Sequence, residues 1–478
     1  MRYTNTLQCI NYRAGQRGAA VRRMKSTVLL ASRIPLMEKI GYSLGDSASN
    51  LYWKTFEFFL VIFYTDVFGI SSRATGTLLV VTGLVSAVAD LMMGSIADRM
   101  RTRWGHFRPY FLFGSGPLAV AGVLTFTTPH LCGGEKLLYA YITYGSLMLI
   151  YTAVNVPYCA LMGVMTPSSV ERTSISSVRF MGAFIAGLFV QCFTLSFVKF
   201  FGRGSDADGW RWTMVLYGAL AVLLLLLCFF STHEQVIPSP QQNSNIKYDF
   251  HDLFRSRAWL VLVAVQLLTV SAFTVKGAAS AYYFKYFVGR QDLLWLFLVS
   301  NGLAFLVAVS ITSRLAKLVG KRQLMIIELW LGAVLVGLFS FAKPLDIWLI
   351  FALQIISSFV IGFKSPLIFA MFADIADHIE WRTGRRATGV VFASAIFATK
   401  IGMAMGAWLF GLVLAYSGYL ANVEQTERSL RGIILSMSWI PAAITLMAAL
   451  GMASYPLSDA VMVKIEKELE ARRGVVGI

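Results

Sequence analysis

Apolar residues run along this chain in long blocks separated by short polar or basic segments. Three blocks carry no charge at all: Trp212 to Ser231, Leu293 to Ser313 and Gly432 to Ser458. A helix needs about 20 mostly apolar residues to cross a bilayer core, and these blocks are long enough. Other blocks are apolar apart from isolated charges. The pattern predicts twelve spans, near 43–66, 74–97, 109–129, 137–163, 176–199, 210–231, 258–287, 293–313, 323–342, 346–372, 387–416 and 432–455. The polar stretch from His233 to Asp252 reads as a linker.

Composition supports that reading. The chain is 57% hydrophobic and 14% charged, against roughly 25% charged in soluble domains. That is too little charge to cover a water-facing surface, so a soluble enzyme, a disordered chain and a fibrous chain are excluded. The five cysteines (Cys9, Cys132, Cys159, Cys192, Cys228) form no CxxC pair, so neither a disulfide framework nor a metal site is indicated. The net charge of +17 would suit a nucleic-acid binder or a membrane protein with basic cytoplasmic loops. With the N-terminus placed in the cytoplasm, about 28 basic residues fall in inside segments and about 8 in outside loops. That asymmetry predicts a multi-pass protein of the inner (plasma) membrane with both termini cytoplasmic, and it leaves no need for nucleic acid. The first 36 residues are basic and lack an apolar core. They read as a cytoplasmic tail or an early start (Met24 and Met37 being alternatives), not a signal peptide.

Self-similarity organises the spans. The loop from Arg99 to Gly105 after span 2 matches Arg314 to Gly320 after span 8, at an offset of about 215 residues. Glu171-Arg172-Thr173 after span 4 matches Glu380-Trp381-Arg382-Thr383 after span 10 at an offset of about 210. Two matches at nearly one offset imply two parallel halves. The expected fold is all-α and integral to the membrane: 12 transmembrane helices in two six-helix bundles of major-facilitator type around a central cavity, with the site near midplane. The expected segments are a basic tail (1–36), a first bundle (37–232), a linker (233–257), a second bundle (258–456) and a tail (457–478).

Charges inside spans are costly, and each is a functional candidate. They are Asp46, Lys54, Glu57, Asp90, Arg179, Lys276, Lys285, Lys364 and Lys400, with Asp374 and Asp377 at the inner end of span 10. Lys54 and Glu57 are one turn apart, and either pair together or meet substrate. Lys285, near a span end, is placed to snorkel. Lys276 and Lys364 are each expected to neutralise a carboxylate. Asp90 and Lys400 are deepest and fit a binding or coupling role, since a cation near a buried carboxylate controls its protonation. Span 1 is dense in aromatics, among them Tyr52, Trp53, Phe56 and Tyr64. Most are expected to pack. If Asn50 lines a cavity, Trp53 and Lys54 lie beside it.

Several motifs carry a family likeness. They are Gly41 to Trp53, Tyr64-Thr65-Asp66-Val67-Phe68-Gly69, Gly94 to Tyr110, Asn155-Val156-Pro157-Tyr158, Arg172 to Phe180, Asp374 to Arg386 and Thr399-Lys400-Ile401-Gly402. The chain resembles the glycoside–pentoside–hexuronide:cation symporters, the melibiose-permease-like group of the major facilitator superfamily, across nearly its whole length. The resemblance implies uptake of a glycoside by alternating access. Asn50 and Asn155 stand where the family has sugar-binding aspartates, and amides both donate to and accept from hydroxyls. Tyr151 and Arg179 join them as implied substrate contacts, with Lys400, and Trp53 is added from its spacing one turn beyond Asn50. Asp90, Ser86, Thr152 and Lys400 are the implied cation-coupling set. Asp98, Arg99, Arg103, Asp374, Asp377, Glu380 and Arg382 match cytoplasmic gate loops, where charge pairs would bias one state over another.

Departures from the family pattern bear on coupling. Span 2 has Ser86 in place of a second cation-site carboxylate, Gly83 in place of an arginine, and Leu91 in place of a proline. A sodium ion wants several hard oxygen ligands with net negative charge. Asp90, Ser86 and Thr152 supply one carboxylate, so proton coupling, or none, is expected rather than sodium. Cys159 and Ser365 replace pocket tryptophans of the family and argue against a strict galactoside site. The alternatives are an uncoupled facilitator or transceptor and a lysolipid-type carrier. A membrane enzyme is not expected, since no zincin, nucleophile-elbow or phosphate-loop motif is present. The expected partners are a glycoside, a coupling cation and the bilayer, with no resident cofactor or metal.

Overall fold

The computed structural model describes residues 34–100, 102–129, 131, 133–236, 253–385, 387–419 and 423–476. Most of the expected N-terminal tail, most of the linker, and Arg101 and Arg386 of the basic loops lie outside the described residues. The described chain is helical. In order it forms α1 (Leu36–Ile62), α2 (Ser72–Arg99), α3 (Pro109–Thr125), α4 (Gly134–Met165), α5 (Ser169–Gly202) and α6 (Asp206–Ser231). It continues with α7 (Arg257–Tyr282), α8 (Leu294–Val319), α9 (Lys321–Gly337), α10 (Ile347–Gly362), α11 (Lys364–Thr383), α12 (Thr388–Ser417), α13 (Glu427–Met437), α14 (Trp439–Ala453) and α15 (Asp459–Val476). Among the described residues, 10 helices are long and apolar enough to cross a membrane, and α3 is a shorter apolar one. α1 has the length but carries Glu38, Lys39, Asp46, Lys54 and Glu57. α10 with α11, and α13 with α14, each form one broken span.

Helix starts follow capping chemistry. Ser168, Ser205 and Ser256 each accept a hydrogen bond from the backbone N–H three residues on, satisfying a donor that the helix leaves open. Several helices overrun their expected spans. α5 begins at Ser169 rather than near 176, and α11 runs on to Thr383 rather than ending near 372. Glu171, Arg172, Asp374, Asp377, Glu380 and Arg382 are therefore helical, where loops were expected. Hydropathy marks where apolar sequence stops, whereas glutamate and arginine continue a helix readily.

The internal repeat extends beyond the loops that announced it. Spans 1 and 7 each end in a single π-helical turn, Phe63–Val67 and Tyr283–Val288. Contacts repeat as well. In the first half α1 packs on α5 and α6, and α3 on α4 and α6; in the second, α7 packs on α12 and α14, and α9 on α14. The halves meet where α2 packs on α12 and, by the same symmetry, α5 packs on α8, with α11 also against α5. The ends of α2, α8 and α11 and the starts of α3, α5, α9 and α12 gather at one end of the bundle, with α15 beside them. We call this the basic end, for its arginines and lysines.

Candidate transport site

α2 puts Ser86 and Asp90 one turn apart on one face. α4 brings Thr152 and α12 brings Lys400 to the same point. The Lys400 ammonium lies 2.7 Å from Asp90 Oδ2 and donates to Ser86 Oγ at 2.5 Å. Thr152 Oγ1 donates to Asp90 Oδ1 at 2.8 Å and lies 3.3 Å from Ser86 Oγ. All four expected coupling residues thus share one buried cluster, with Asp90 only 1% exposed. It joins the first half, through α2 and α4, to the second, through α12. Burying two charges costs several kcal/mol per ion, so their partners must repay it. The ammonium sits where a coupling cation would meet the same oxygens, and the set around it holds one carboxylate.

A second cluster lies within the first half. Arg179 of α5 donates from Nε to Asp46 Oδ2 at 2.8 Å and from Nη2 to Cys159 Sγ at 3.3 Å. Its guanidinium packs on Tyr158 and, across the interface, on Phe369 at 4.6 Å. Nη1 is buried and has no hydrogen-bond partner among the described residues. Asn50 donates from Nδ2 to the Asp46 carbonyl at 2.9 Å. Trp53 stacks on Tyr151 at 6.0 Å, and Asn155 follows Tyr151 by one turn of α4. The expected substrate residues other than Lys400 therefore line α1, α4 and α5, with an aromatic surface beside amide and guanidinium donors. Lys54 pairs with Glu57 at 2.7 Å. The partner role of Asp46, read beforehand only as one more buried charge, is clear once Arg179 is seen beside it.

The basic end is sealed by contacts between halves. Arg172 of α5 meets Asp377 at 2.5 Å and Asp374 at 3.4 Å on α11. Asp374 also accepts from Ser169 Oγ at 2.8 Å and pairs with Lys321 of α9. Asp98, at the end of α2, accepts from the backbone N–H groups of Gly389 at 2.6 Å and Val390 at 3.1 Å. It caps α12 of the other half, where a carboxylate is favoured by the helix dipole. Beside it, Gly94 and Gly389 let two backbones touch: a Cβ on Gly389 would lie 2.4 Å from the Gly94 carbonyl. Glu466 of α15 accepts from Ser169 N at 2.5 Å. Burial is the main cause that pushes its carboxyl up to about 7; neighbouring Asp374 adds to this, and the Ser169 hydrogen bond, Arg172 and Lys321 oppose it.

Not all expected gate residues join this set. Arg103 stacks on its neighbour Trp104 at 4.2 Å. Arg382 lies with His378, Arg255 and Ser256 around a small separate cavity. Arg99 and Glu380 sit on α2 and α11 beside Asp98 and Asp377 in sequence. Arg172, Lys321, Ser169 and Glu466, which join these contacts, were not among the residues expected there. Arg172 had registered in the internal repeat and in a family motif, and Lys321 as a basic residue that sets topology, but nothing local marks the partner of either on another helix.

Of the two lysines expected to neutralise a carboxylate, Lys364 has one and Lys276 does not. Lys364 donates to Thr269 Oγ1 at 3.1 Å and interacts with buried Glu328, a carboxylate missing from the expected set. Lys276 donates to Gln354 Oε1 at 2.8 Å and Ser357 Oγ at 3.3 Å and has no carboxylate partner among the described residues.

Known proteins place this architecture. Residues 41–459 match the family model described as MFS/sugar transport protein. The inner membrane symporter YicJ of Escherichia coli strain K12 is 34% identical over 435 residues, covering 89% of this chain and 92% of that one. The isoprimeverose transporter of Lactiplantibacillus pentosus is 32% identical over 452 residues, covering 94% of each. The crystal structure of FucP, an MFS transporter in the outward conformation, superposes with a TM-score of 0.65 at 13% identity, over 88% of this chain and 98% of that one. That likeness shows the shared fold. The sequence matches, spread over nearly the whole length, show more: the chain is a multi-pass membrane protein belonging to the MFS/sugar transport family, whose members are transporters and not enzymes.

Proposed function

We propose that this chain imports a glycoside of the oligosaccharide, pentoside or hexuronide class by alternating access, driven by protons rather than sodium. The observation that carries the reading is the Asp90–Lys400 pair, which ties α2 to α12 across the two halves. In this reading the basic end is cytoplasmic, both termini lie there, and the protein sits in the plasma membrane. Trp53 and Tyr151 offer an aromatic face to the sugar ring, while Asn50, Asn155 and the unpartnered Nη1 of Arg179 read hydroxyls.

The coupling follows from charge. A proton on Asp90 leaves Lys400 without a counter-charge in a low-dielectric setting. The α2–α12 contact then loses its main electrostatic tie, and Asp98 and Arg172 can release the second half below it. Loss of the proton on the cytoplasmic side restores the pair and resets the carrier. The arrangement supports protons over sodium because Lys400 already occupies the oxygen set and only one carboxylate is present.

Proteoliposomes given an inward proton gradient, an inward sodium gradient or neither test this with labelled glycosides. The expected result is accumulation under the proton gradient alone. Asp90→Asn should abolish accumulation and leave downhill flux and exchange. Sodium stimulation exceeding that of protons overturns the coupling assignment, and unchanged accumulation in Asp90→Asn removes Asp90 from the mechanism. Equal downhill flux under all three conditions supports the uncoupled alternative.

A further inference from the structure

Among the described residues, most charges within the spans have an opposite charge beside them. Arg179 has Asp46, Lys400 has Asp90, Lys54 has Glu57, and Lys364 interacts with Glu328. Lys276 has only neutral partners, Gln354 Oε1 and Ser357 Oγ on α10, and its ammonium lies 4.5 Å from the Phe339 ring centre. Gln354 and Ser357 are themselves buried, at 4% and 0% exposure. An ammonium in a membrane-embedded site without a counter-ion is costly, and a methionine or glutamine would bridge α7 and α10 for less. The two acceptors occupy two of its three N–H donors and leave one free.

The place of Lys276 in the bundle gives that cost a use. One turn earlier on α7, Phe273 is 50% exposed yet packs on Phe305 of α8 at 6.1 Å. Phe305 in turn packs on Phe184 of the first half at 5.4 Å. This face of α7 therefore borders the contact between the halves. From these observations we infer that Lys276, held by Gln354 and Ser357, is an anion subsite for an acidic group carried on the substrate. A carboxylate or sulfonate on the sugar would supply the counter-charge that the protein withholds. The ring would rest against the first half while its acid group reached the second, so the acid would help draw the halves together around it.

The inference rests on the sugar-transport reading, and its test separates the two. Calorimetric titration of the full-length protein in nanodiscs would use methyl β-D-glycosides in matched sets: the neutral sugar, its 6-carboxylate and its 6-sulfonate, in gluco and galacto configurations. In the configuration that binds, an acidic member should bind at least tenfold tighter than the neutral one, and the carboxylate and sulfonate arms identify which acid. Lys276→Met should bring that ratio to within twofold of one, and Lys276→Arg should retain most of it. Neutral sugar binding as well as or better than both acids in the wild-type protein overturns the subsite and leaves the sugar reading intact. A Lys276→Met protein that keeps the wild-type ratio overturns it equally. Binding of no member overturns the sugar reading and the subsite with it. The wild-type comparison stands even if a variant fails to fold.

Discussion

Asp90 and Lys400 stand 310 positions apart in the chain and 2.7 Å apart in the fold. Each was legible as a candidate because charge is scarce in the spans, so most ionisable residues within them stood out. Their association came only from the family resemblance, which put both in the coupling set, since nothing within either helix names a partner on another. The same limit hid the link between Asp46 and Arg179 and that between Arg172 and Asp377, although most of these residues had been noticed singly. Glu328 was missed altogether, lying in an apolar run only seven residues from Lys321. Pairing has a measurable consequence. Lys400→Met leaves the Asp90 carboxylate buried with Thr152 as its remaining partner, and breaking a buried pair costs about 3–5 kcal/mol. The double variant Asp90→Asn with Lys400→Met removes both charges and should recover most of that loss. Thermal unfolding of the purified protein checks this, the single variant melting well below the double. Equal melting of the two would mean that the pair does not hold the halves together.

At the level of elements, apolar blocks located the spans to within a few residues where lipid-facing sequence ended together with the helix. They failed where charged residues prolonged a helix, as at Ser169 and Thr383, and where a span broke at Phe363 or Ser438. Capping explains more of the repeat than hydropathy could. Gly105 and Gly320, matched in the two halves, have φ of +112° and +92°, a region that favours glycine. Each opens onto a carboxylate supplied after the last span of its own half. Glu234 accepts from the N–H groups of His106, Phe107 and Arg108, and Asp459 accepts from Lys321 N. The segment after Asp459 then becomes α15, which crosses the basic end. Glu466 bonds Ser169 of the first half, Glu468 accepts from Trp381 Nε1 at 2.6 Å, and Arg472 donates to the Trp381 carbonyl at 2.8 Å. Because docking raises the Glu466 carboxyl to about 7, docked α15 holds a proton that free α15 gives up near pH 4.5. Docking is therefore tightest below the free value and weakens as pH rises from there through about 7. Trp381 emission followed from pH 5 to pH 8 should report progressive release. Glu466→Gln, which keeps an acceptor for Ser169, should flatten the profile, and an unchanged profile in that variant would place the titration elsewhere.

For the whole molecule, what matters is how firmly the basic end is shut. Arg172, Lys321, Asp374 and Asp377 form a neutral set of two cations and two carboxylates across the halves, and Asp98 adds a cap on α12. The Arg172 pairs and the Asp98 cap are lost when the halves separate, whereas the Lys321–Asp374 pair lies within the second half; the contacts that are lost set the free-energy gap between the form closed at this end and the form open there. A carrier must keep that gap to a few kcal/mol, because ligands can move an equilibrium only by their difference in affinity for its two states. The backbone approach of Gly94 and Gly389 is the part that side-chain motion cannot relieve. A leucine at position 389 would place its Cβ 2.4 Å from the Gly94 carbonyl and about 2.9 Å from the Asp98 carboxylate, far inside contact distance. In the open form the same side chain would face the space between the halves at little cost. Gly389→Leu should therefore hold the carrier open at its basic end, with uptake down at least tenfold. Spin labels on the ends of α2 and α11 would measure this by pulsed electron resonance as a shift from a short to a long distance. A wild-type distance distribution in that variant would mean that the seal does not depend on this approach. In that case the charge set around Asp374 would have to carry the closed state by itself.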